Sequence, residues 1–341
     1  MGFTPFIMAV NYLHDSTDSE SDAFSKMAFH SERLEQLNYF HDKADEIKAI
    51  IRLYNGNNKQ LFKKRVGEFL QQDQGLSLKP QDINASLYLF LNFVFLPFVH
   101  FGEVKSLVKE YTQLIMNLPK KPLDDFVENL ISSNFLSTLQ KDCLKIYPEI
   151  YNAEMPIRPA LFLDLTKKYE KEKIAARIST KEFQSYKDLY KDIAEVFARQ
   201  LTIIAGINNI IHRNNSNSFK AIDGGALSSL EKFTSKVLSD KFKYLDDCWY
   251  PINKEVVDVG MRNAIAHNNV QYNEISQEII YYPNGGNLHQ TTGSTIYFLD
   301  FMRMILVLFR EIHNLHHLIK SLFYYEYLIR NRTLTSSSTH Q

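Results

Sequence analysis

The sequence predicts a mostly α-helical protein that carries one small β-hairpin. From about residue 23 to residue 240, apolar side chains recur at the spacing of helices that bury one face. Asn, Gly and Pro residues divide this stretch into pieces of helix length. Short runs rich in Val, Ile and Tyr near residues 270–282 predict two strands. The 341 residues are enough for two domains of ordinary size.

Six helices are predicted in the N-terminal half, and the breaks between them contain turn-forming residues. Gly supplies positive φ there, and Pro ends the helical hydrogen-bond ladder. The predicted helices are 23–53, 59–72, 81–96, 102–117, 122–131 and 135–147. Three prolines between residues 148 and 159 then predict an irregular connection. We therefore expect an all-helical N-terminal domain over residues 1–165, with a polar linker at 14–22.

The C-terminal half is expected to form a second domain, over residues 179–330. It begins with a long helix, 179–213, which has an apolar stripe and Thr180 as its cap. The later elements are helices at 227–238, 252–268 and 296–330, strands at 270–272 and 279–282, and a turn at 283–286. The mixed-charge run 166–177 is interpreted as a solvated helix face, with an RNA-guiding surface as the alternative. The Ser/Thr-rich tail, 331–341, is expected to be disordered.

Composition limits the classes of function. The 39 basic and 39 acidic residues give no net charge, which argues against a general nucleic-acid coat but permits RNA at one local cleft. Cys143 and Cys248 form neither a zinc spacing nor a disulfide framework, so a reducing cytoplasm is expected. The apolar run 83–101 is interrupted by two asparagines and Pro97. We expect it to be a buried helix that ends or kinks near Pro97, and we expect no membrane partner.

Residues 261–268, Met-Arg-Asn-Ala-Ile-Ala-His-Asn, hold the most informative pattern in the chain. A helix advances about 100° per residue, so Arg262, Asn263 and His267 share an arc of about 140°. An imidazole can transfer a proton, and a guanidinium can hold a phosphate. Arg262, Asn263 and His267 are therefore the predicted catalytic residues for cleavage of RNA without a metal.

The spacing by itself is weak evidence, because Arg310 is followed by two histidines at similar distances. The surroundings of Arg262 strengthen the prediction, since small residues separate it from His267 and two asparagines that suit a helix end follow. A structural interpretation also stays open. In it, His267 lies at the negative end of the helix and Arg262 pairs with Asp258.

The run from Arg262 to Asn268 resembles the R-x4-6-H signature of the HEPN superfamily. The short strands and the long apolar helix after it are also similar to that family, over roughly residues 180–330. The resemblance implies a small helical bundle that dimerises so that two motifs face each other. For many members it implies metal-independent ribonuclease activity, often in toxins and anti-phage defence, whereas other members are inert. Asn269 departs from one toxin subgroup, which has a regulatory tyrosine at this place.

The predicted function is therefore metal-independent endoribonuclease cleavage through the ribose 2′-hydroxyl, with RNA as substrate and with neither cofactor nor metal. His267 would move the proton, Arg262 would bind the scissile phosphate, and Asn263 would orient the phosphate or the imidazole. Each chain supplies one such set, so a homodimer with a composite site at its seam is expected. The resemblance further implies a toxin or abortive-infection effector, whose N-terminal domain senses a trigger or binds a regulatory or antitoxin protein.

Two other interpretations stay open. The bundle could be a non-catalytic module that dimerises or binds a nucleotide or a partner protein, or it could be a scaffold for another gene product. Exposure separates the first of these from the nuclease. A nuclease needs Arg262 and His267 open to a cleft, whereas a module permits both side chains to be buried and paired.

Further polar side chains have two interpretations each. One set on the long helix either lines the cleft or satisfies helix ends, and it comprises Asn208, Asn209, His212 and Glu195, the last as an orienting partner of His267. A second set lies on the last helix and comprises His313, His316 and His317. No carboxylate lies at a suitable offset from these histidines, so ordinary helix positions are favoured over a metal site.

Overall fold

The computed structural model describes residues 20–99, 101–165, 183–222, 225–252, 257–283 and 293–331. Several sequence predictions fall outside these ranges. They concern the linker before residue 20, the charged run 166–177, the cap at Thr180, the turn residues 284–286 and the tail from residue 332.

The described chain is mostly helical, as predicted, and contains a small antiparallel sheet. In chain order the helices are α1 (Glu20–Asp42), α2 (Ala44–Asn55), α3 (Lys59–Leu70), α4 (Pro80–Val94), α5 (Phe101–Asn117), α6 (Lys120–Ser132), α7 (Phe135–Asn152), α8 (Glu154–Leu161), α9 (Phe183–Arg213), α10 (Leu230–Thr234), α11 (Leu238–Lys243), α12 (Val259–Ala266) and α13 (Phe298–Tyr325). Short 3-10 turns span Leu96–Phe98 and Phe162–Leu165, and a π-helical turn spans Glu326–Arg330.

Three helix predictions need correction. The single helix expected at 23–53 is two helices, and α1 already begins at Glu20, inside the expected linker. The region expected at 227–238 contains only a short helix and the start of another, α10 and α11. The expected start of the motif helix near 252 is also wrong, because the described part begins at Val259.

The irregular connection predicted from three prolines is helical instead. Pro148 lies inside α7, and Pro159 lies inside α8. Pro156 occupies the first turn of α8, where a backbone N–H has no partner within the helix in any case. Each proline removes at most one helical hydrogen bond, and buried neighbours such as Tyr147 and Ile157 provide the packing that keeps these segments helical.

The sheet has three strands, one more than the predicted hairpin. They are β1 (Val270–Asn273), β2 (Glu278–Tyr281) and β3 (Ser294–Tyr297), and both pairings are antiparallel. One hairpin turn lies at residues 274–277, between β1 and β2, and the turn predicted at 283–286 falls in the connection from β2 to β3, most of which lies outside the described residues. The last helix therefore starts at Phe298, because the two residues expected to open it pair with β2 as part of β3.

The chain forms two compact units, each drawn from three segments. The first comprises Met1–Ala44, Glu149–Glu195 and Asn253–Arg310, and the second comprises Asp45–Pro148, Val196–Ile252 and Glu311–Gln341. The division into domains at 1–165 and 179–330 stays a prediction.

The first unit has an aromatic core at the start of α9 and α13. The Phe183 ring stacks on Tyr272 of β1, with centroids 4.9 Å apart, and lies 5.5 Å from the ring of Phe301. Tyr190 lies two turns after Phe183 on α9, and its ring also contacts Phe301. This cluster fixes the sheet and the start of α9 within one core.

A buried carboxylate gathers three arginines in the same unit. Asp164 accepts two hydrogen bonds from Arg310, at 2.6 and 3.0 Å, and one from Arg33, at 2.9 Å, and it also pairs with Arg303. Burial alone would raise the pKa of Asp164, but these guanidiniums hold it far below its ordinary value. Arg310, which repeats the spacing of the motif at Arg262, thus has a structural ion pair.

The second unit buries a polar network among its aromatic side chains. Tyr147 lies 2.9 Å from Nδ1 of His313 and 3.0 Å from Nδ1 of His316, so its hydroxyl can donate to one ring and accept from the other. His317 is also buried, and neither of its ring nitrogens has a partner among the described residues. Burial lowers the pKa of His313 to about 3. The metal alternative finds no support here, since no group of His, Cys, Asp and Glu in the described residues could hold a metal ion.

The apolar run at 83–101 is a buried helix that ends before Pro97, as predicted. Helix α4 stops at Val94, and Pro97 lies in the 3-10 turn that follows. Among the described residues, no helix is both long and apolar enough to cross a membrane.

Gly206 marks a close approach of α9 to Phe126 of α6. A Cβ at Gly206 would lie 2.4 Å from Cε2 of Phe126. Gly206→Ala should therefore lower the free energy of unfolding by about 1–3 kcal/mol through overpacking, although helix propensity alone favours Ala by about 1 kcal/mol. Urea unfolding checks this. Adding Phe126→Leu should recover part of the loss, and a stabilised Gly206→Ala protein would show that the contact is not tight.

The buried histidines should make stability depend on pH. A histidine that is neutral when folded contributes stability above pH 6.5, and that stability is lost as the pH falls towards its lowered folded pKa, because the unfolded chain binds the proton. His317→Leu should abolish the contribution of one histidine to this loss. That contribution is roughly 1.4 kcal/mol of unfolding free energy for each pH unit below 6.5. Urea unfolding from pH 7.5 to 5 measures both proteins. If their stabilities fall in parallel, His317 does not carry this linkage.

Candidate functional site

Helix α12 carries the predicted catalytic residues, and both of its ends are closed by specific hydrogen bonds. At the start, the Asp258 carboxylate accepts from the backbone N–H of Met261 at 2.9 Å, which is an N-cap. At the end, Asn268 has φ of 56° and its N–H bonds to the carbonyl of Ile265, while Asn269 N–H bonds to that of Ala264. These two bonds form a Schellman motif. The helix end that the sequence predicted at the asparagines is therefore confirmed.

The three predicted residues have different environments. Arg262 is half-buried, with 23% of its side chain exposed, and one of its nitrogens lies 3.4 Å from Oδ1 of Asn263. His267, the C-cap residue, is exposed, and its imidazole has no hydrogen-bond partner among the described residues. The structure thus places Arg262 and Asn263 in contact and leaves His267 open to solvent at the end of the same helix.

Glu195 of α9 is the ion-pair partner of Arg262. Its carboxylate is 47% exposed and pairs with Nη2 of Arg262. The structural alternative suggested a neighbour such as Asp258 as the partner of Arg262, but the Asp258 carboxylate caps the helix and the observed partner is Glu195. Glu195 was expected, in one interpretation, to orient His267, but its described partner is the guanidinium.

Two tyrosines and a lysine hold α12 to its surroundings. The Tyr281 hydroxyl donates to Asp258 at 2.7 Å, and the Tyr190 hydroxyl lies 3.4 Å from the Asp258 carbonyl. Burial, with Asp258 beside it, raises the pKa of Tyr281 to about 12, and burial also raises that of Tyr190, so both stay donors at neutral pH. The buried Lys187 donates to Oδ1 of Asn268 at 3.2 Å.

The sequence missed Lys187 as a contributor to this site, although a signal was present. Lys187 lies four residues after Phe183 and three before Tyr190, so it interrupts the apolar stripe of α9. A charged residue in such a stripe needs a polar partner when it is buried. Its partner, Asn268, is 81 residues away in the sequence, and local patterns do not identify it.

The polar residues near the end of α9 satisfy local groups. Asn208 donates to the carbonyl of Asp246 at 2.8 Å, and Asn209 donates to that of Ser216 at 2.9 Å. His212 lies 3.2 Å from the carbonyl of Asp247. These contacts favour the interpretation of these three side chains as satisfied helix-end groups.

The geometry combines a proton-transferring group and an anion-binding group on one short helix. The exposed imidazole can accept or donate a proton, and the guanidinium can hold an anion once its exposed partner moves aside. Comparison with protein-family models, with curated proteins and with solved structures finds no match to this chain.

The left-handed backbone at Asn268 should make that position sensitive to side-chain type. Asn268→Gly and Asn268→Val both remove the Lys187 contact, but only valine carries the steric cost of positive φ. We expect the free energy of unfolding of the valine variant to be about 1–2 kcal/mol lower than that of the glycine variant. Urea unfolding measures the difference, and equal stabilities would mean that the Schellman geometry does not hold in solution.

Proposed function

We propose that this protein is a metal-independent endoribonuclease of the HEPN type, which cleaves RNA through the ribose 2′-hydroxyl. The observation that carries the proposal is the exposed imidazole of His267, which has no hydrogen-bond partner in the described part of the chain and lies at the end of the helix that also carries Arg262. The similarity of residues 262–268 to the R-x4-6-H signature supports the same reaction.

The proposed chemistry uses the three predicted residues in separate roles. His267 takes the proton of the 2′-hydroxyl or gives a proton to the leaving 5′-oxygen. Arg262 binds the scissile phosphate and stabilises the charge that develops on it. Asn263, which contacts Arg262, orients the phosphate or the guanidinium.

A second copy of the chain would complete the site. One chain supplies one such imidazole, whereas the reaction uses a base and an acid. We therefore propose a homodimer in which two α12 helices face each other across an RNA strand. As a toxin or abortive-infection effector in the cytoplasm, such a dimer would be restrained by the N-terminal region or by a regulatory or antitoxin protein.

The ion pair between Arg262 and Glu195 favours a second candidate, a non-catalytic module. A guanidinium that stays paired in the same chain cannot bind a phosphate, and its role is then to join α12 to α9. In that case the domain dimerises or binds a partner, and His267 contributes only to the surface.

Cleavage of RNA distinguishes the two candidates. Purified wild-type protein, Arg262→Ala and His267→Ala are incubated with mixed cellular RNA in excess EDTA, and the new ends are mapped. We expect 2′,3′-cyclic phosphates from the wild type and at least about 100-fold slower cleavage by His267→Ala, because general acid–base catalysis contributes that much. Equal cleavage by all three proteins would point to a contaminant, and no cleavage by the wild type would favour the module.

Glu195 should restrain the nuclease by competing with the phosphate for Arg262. Glu195→Gln removes the carboxylate charge, and we expect several-fold faster cleavage at RNA concentrations below KM. Asp188→Asn is the matched control, because it removes a charge from an exposed position of the same helix and does not contact Arg262. Equal acceleration by both variants would indicate a general charge effect instead of competition at Arg262.

A further inference from the structure

Lys187 is a buried lysine whose described hydrogen-bond partner is a neutral amide. Its side chain is 8% exposed, and its ammonium donates to Oδ1 of Asn268 at 3.2 Å. No carboxylate in the described part of the chain pairs with it, and the adjacent Asp188 accepts instead from Gln184. A charge that leaves water is costly unless another group compensates it. Among the described residues, the positive charge of Lys187 thus has no such compensation.

The ammonium of Lys187 lies beside an exposed side chain. Because its acceptor belongs to the exposed Asn268, we infer that the apolar stem is covered while the charged head reaches the surface. An ammonium has three N–H donors, and Asn268 accepts from one of them. An anion that approaches the end of α12 can therefore accept from Lys187 without displacing the contact that holds this helix end.

Lys187 and Arg262 contribute positive charge at opposite ends of α12. Asn268, the partner of Lys187, directly follows His267, whereas Arg262 lies in the first turn and pairs with Glu195. Lys187 and Glu195 are eight residues apart on α9, which corresponds to about 12 Å along the helix axis. One phosphate cannot bridge two cations at such a distance, because its hydrogen bonds to them are only about 2.8 Å long. The two cations therefore suit two different phosphates.

An RNA strand matches this spacing of charges. A stacked strand carries one phosphate for about every 3.4 Å of its length, so 12 Å corresponds to roughly three or four nucleotides. The end of α12 has the partial negative charge of the helix dipole, which repels a phosphate near His267. The ammonium of Lys187 offsets this repulsion at the place where the strand would pass.

We propose that Lys187 binds a second, non-reacting phosphate of the RNA substrate, roughly three or four nucleotides from the phosphate that Arg262 holds. This assignment rests on the proposed nuclease function for the identity of the polyanion. It makes the substrate an oligonucleotide that extends well beyond the cleaved bond. Lys187 is a binding residue in this arrangement and takes no part in proton transfer.

Binding of a fluorescent 2′-O-methyl hexanucleotide tests the proposal without cleavage, because this probe lacks the reacting hydroxyl. Anisotropy gives its Kd for the full-length wild type and for Lys187→Gln over a series of KCl concentrations. Lys187→Gln removes the charge but keeps an N–H donor for Asn268. Loss of one phosphate contact should lower the slope of log K against log[salt] by about 0.7 and raise the Kd several-fold at low salt.

Three further variants separate charge from structure. Lys187→Arg keeps the charge and should keep the salt slope of the wild type. Asn268→Gly removes the same hydrogen bond but leaves the ammonium, so its slope should also be unchanged. Lys64→Gln is the matched control, because it removes an exposed lysine of the second unit. Lys187→Met is a second charge-free variant in case Lys187→Gln does not fold.

An unchanged salt slope in the folded charge-free variant would overturn the proposal and leave Lys187 with the structural role of holding Asn268. The same slope change in Lys64→Gln would indicate a general charge effect and would also overturn it. Failure of the wild type to bind the probe would exclude the phosphate site altogether.

Cleavage kinetics distinguish this phosphate site from the nuclease itself. Lys187→Gln should raise KM several-fold and leave kcat within about twofold, because the phosphate that it binds does not react. A loss of kcat of about tenfold or more would place Lys187 at the reacting phosphate and overturn the separate site. Probe binding that depends on Lys187, without cleavage by the wild type, would remove the nuclease and keep the phosphate site. Cleavage with an unchanged salt slope would do the reverse.

Discussion

Asp258 is the residue on which the geometry of the candidate site depends. Its carboxylate caps the start of α12 and accepts the Tyr281 hydroxyl from β2, and its carbonyl lies within reach of Tyr190 on α9. An eight-residue helix is not stable by itself, because the cost of its first turn exceeds what so few hydrogen bonds return. One aspartate therefore joins α12 to a strand and to a second helix. Burial raises the pKa of both tyrosines further above neutral pH, so both hydroxyls stay protonated and available as donors.

The opposite end of α12 is held differently, and this difference shapes the chemistry. Asn268 turns the backbone into the left-handed region and is held there by Lys187, so the chain leaves the helix in a fixed direction. His267 immediately precedes this turn and projects into solvent. Arg262, in the first turn, is partly buried and forms an ion pair with Glu195. The same helix thus presents an imidazole that contacts no other described side chain at one end and a guanidinium held by an ion pair at the other.

The local parts of this arrangement could be predicted from the sequence, and the long-range parts could not. The helix end at Asn268 follows from the asparagines, whereas the common arc of Arg262, Asn263 and His267 stays a prediction from helical spacing. Glu195 and Lys187 are 67 and 81 residues from their partners, so no local pattern connects them. Strand β3 was missed because its four residues, Ser-Thr-Ile-Tyr, adjoin the apolar helix directly and do not alternate between polar and apolar side chains. The proline-rich segment was misjudged for another reason, since a rule that counts lost hydrogen bonds omits the packing that compensates for them.

The pair between Arg262 and Glu195 would not lock the site. An ion pair with both side chains partly exposed contributes only about 0–1 kcal/mol, because water screens it and ordering two side chains costs entropy. A phosphate offers the guanidinium two parallel charge-assisted hydrogen bonds, which are stronger than a contact of this kind. The pair is therefore weak enough to yield to a substrate, yet it suffices to orient Arg262 while no substrate is bound. A paired arginine is therefore compatible with catalysis. The function then depends on which molecule binds beside the exposed imidazole of His267.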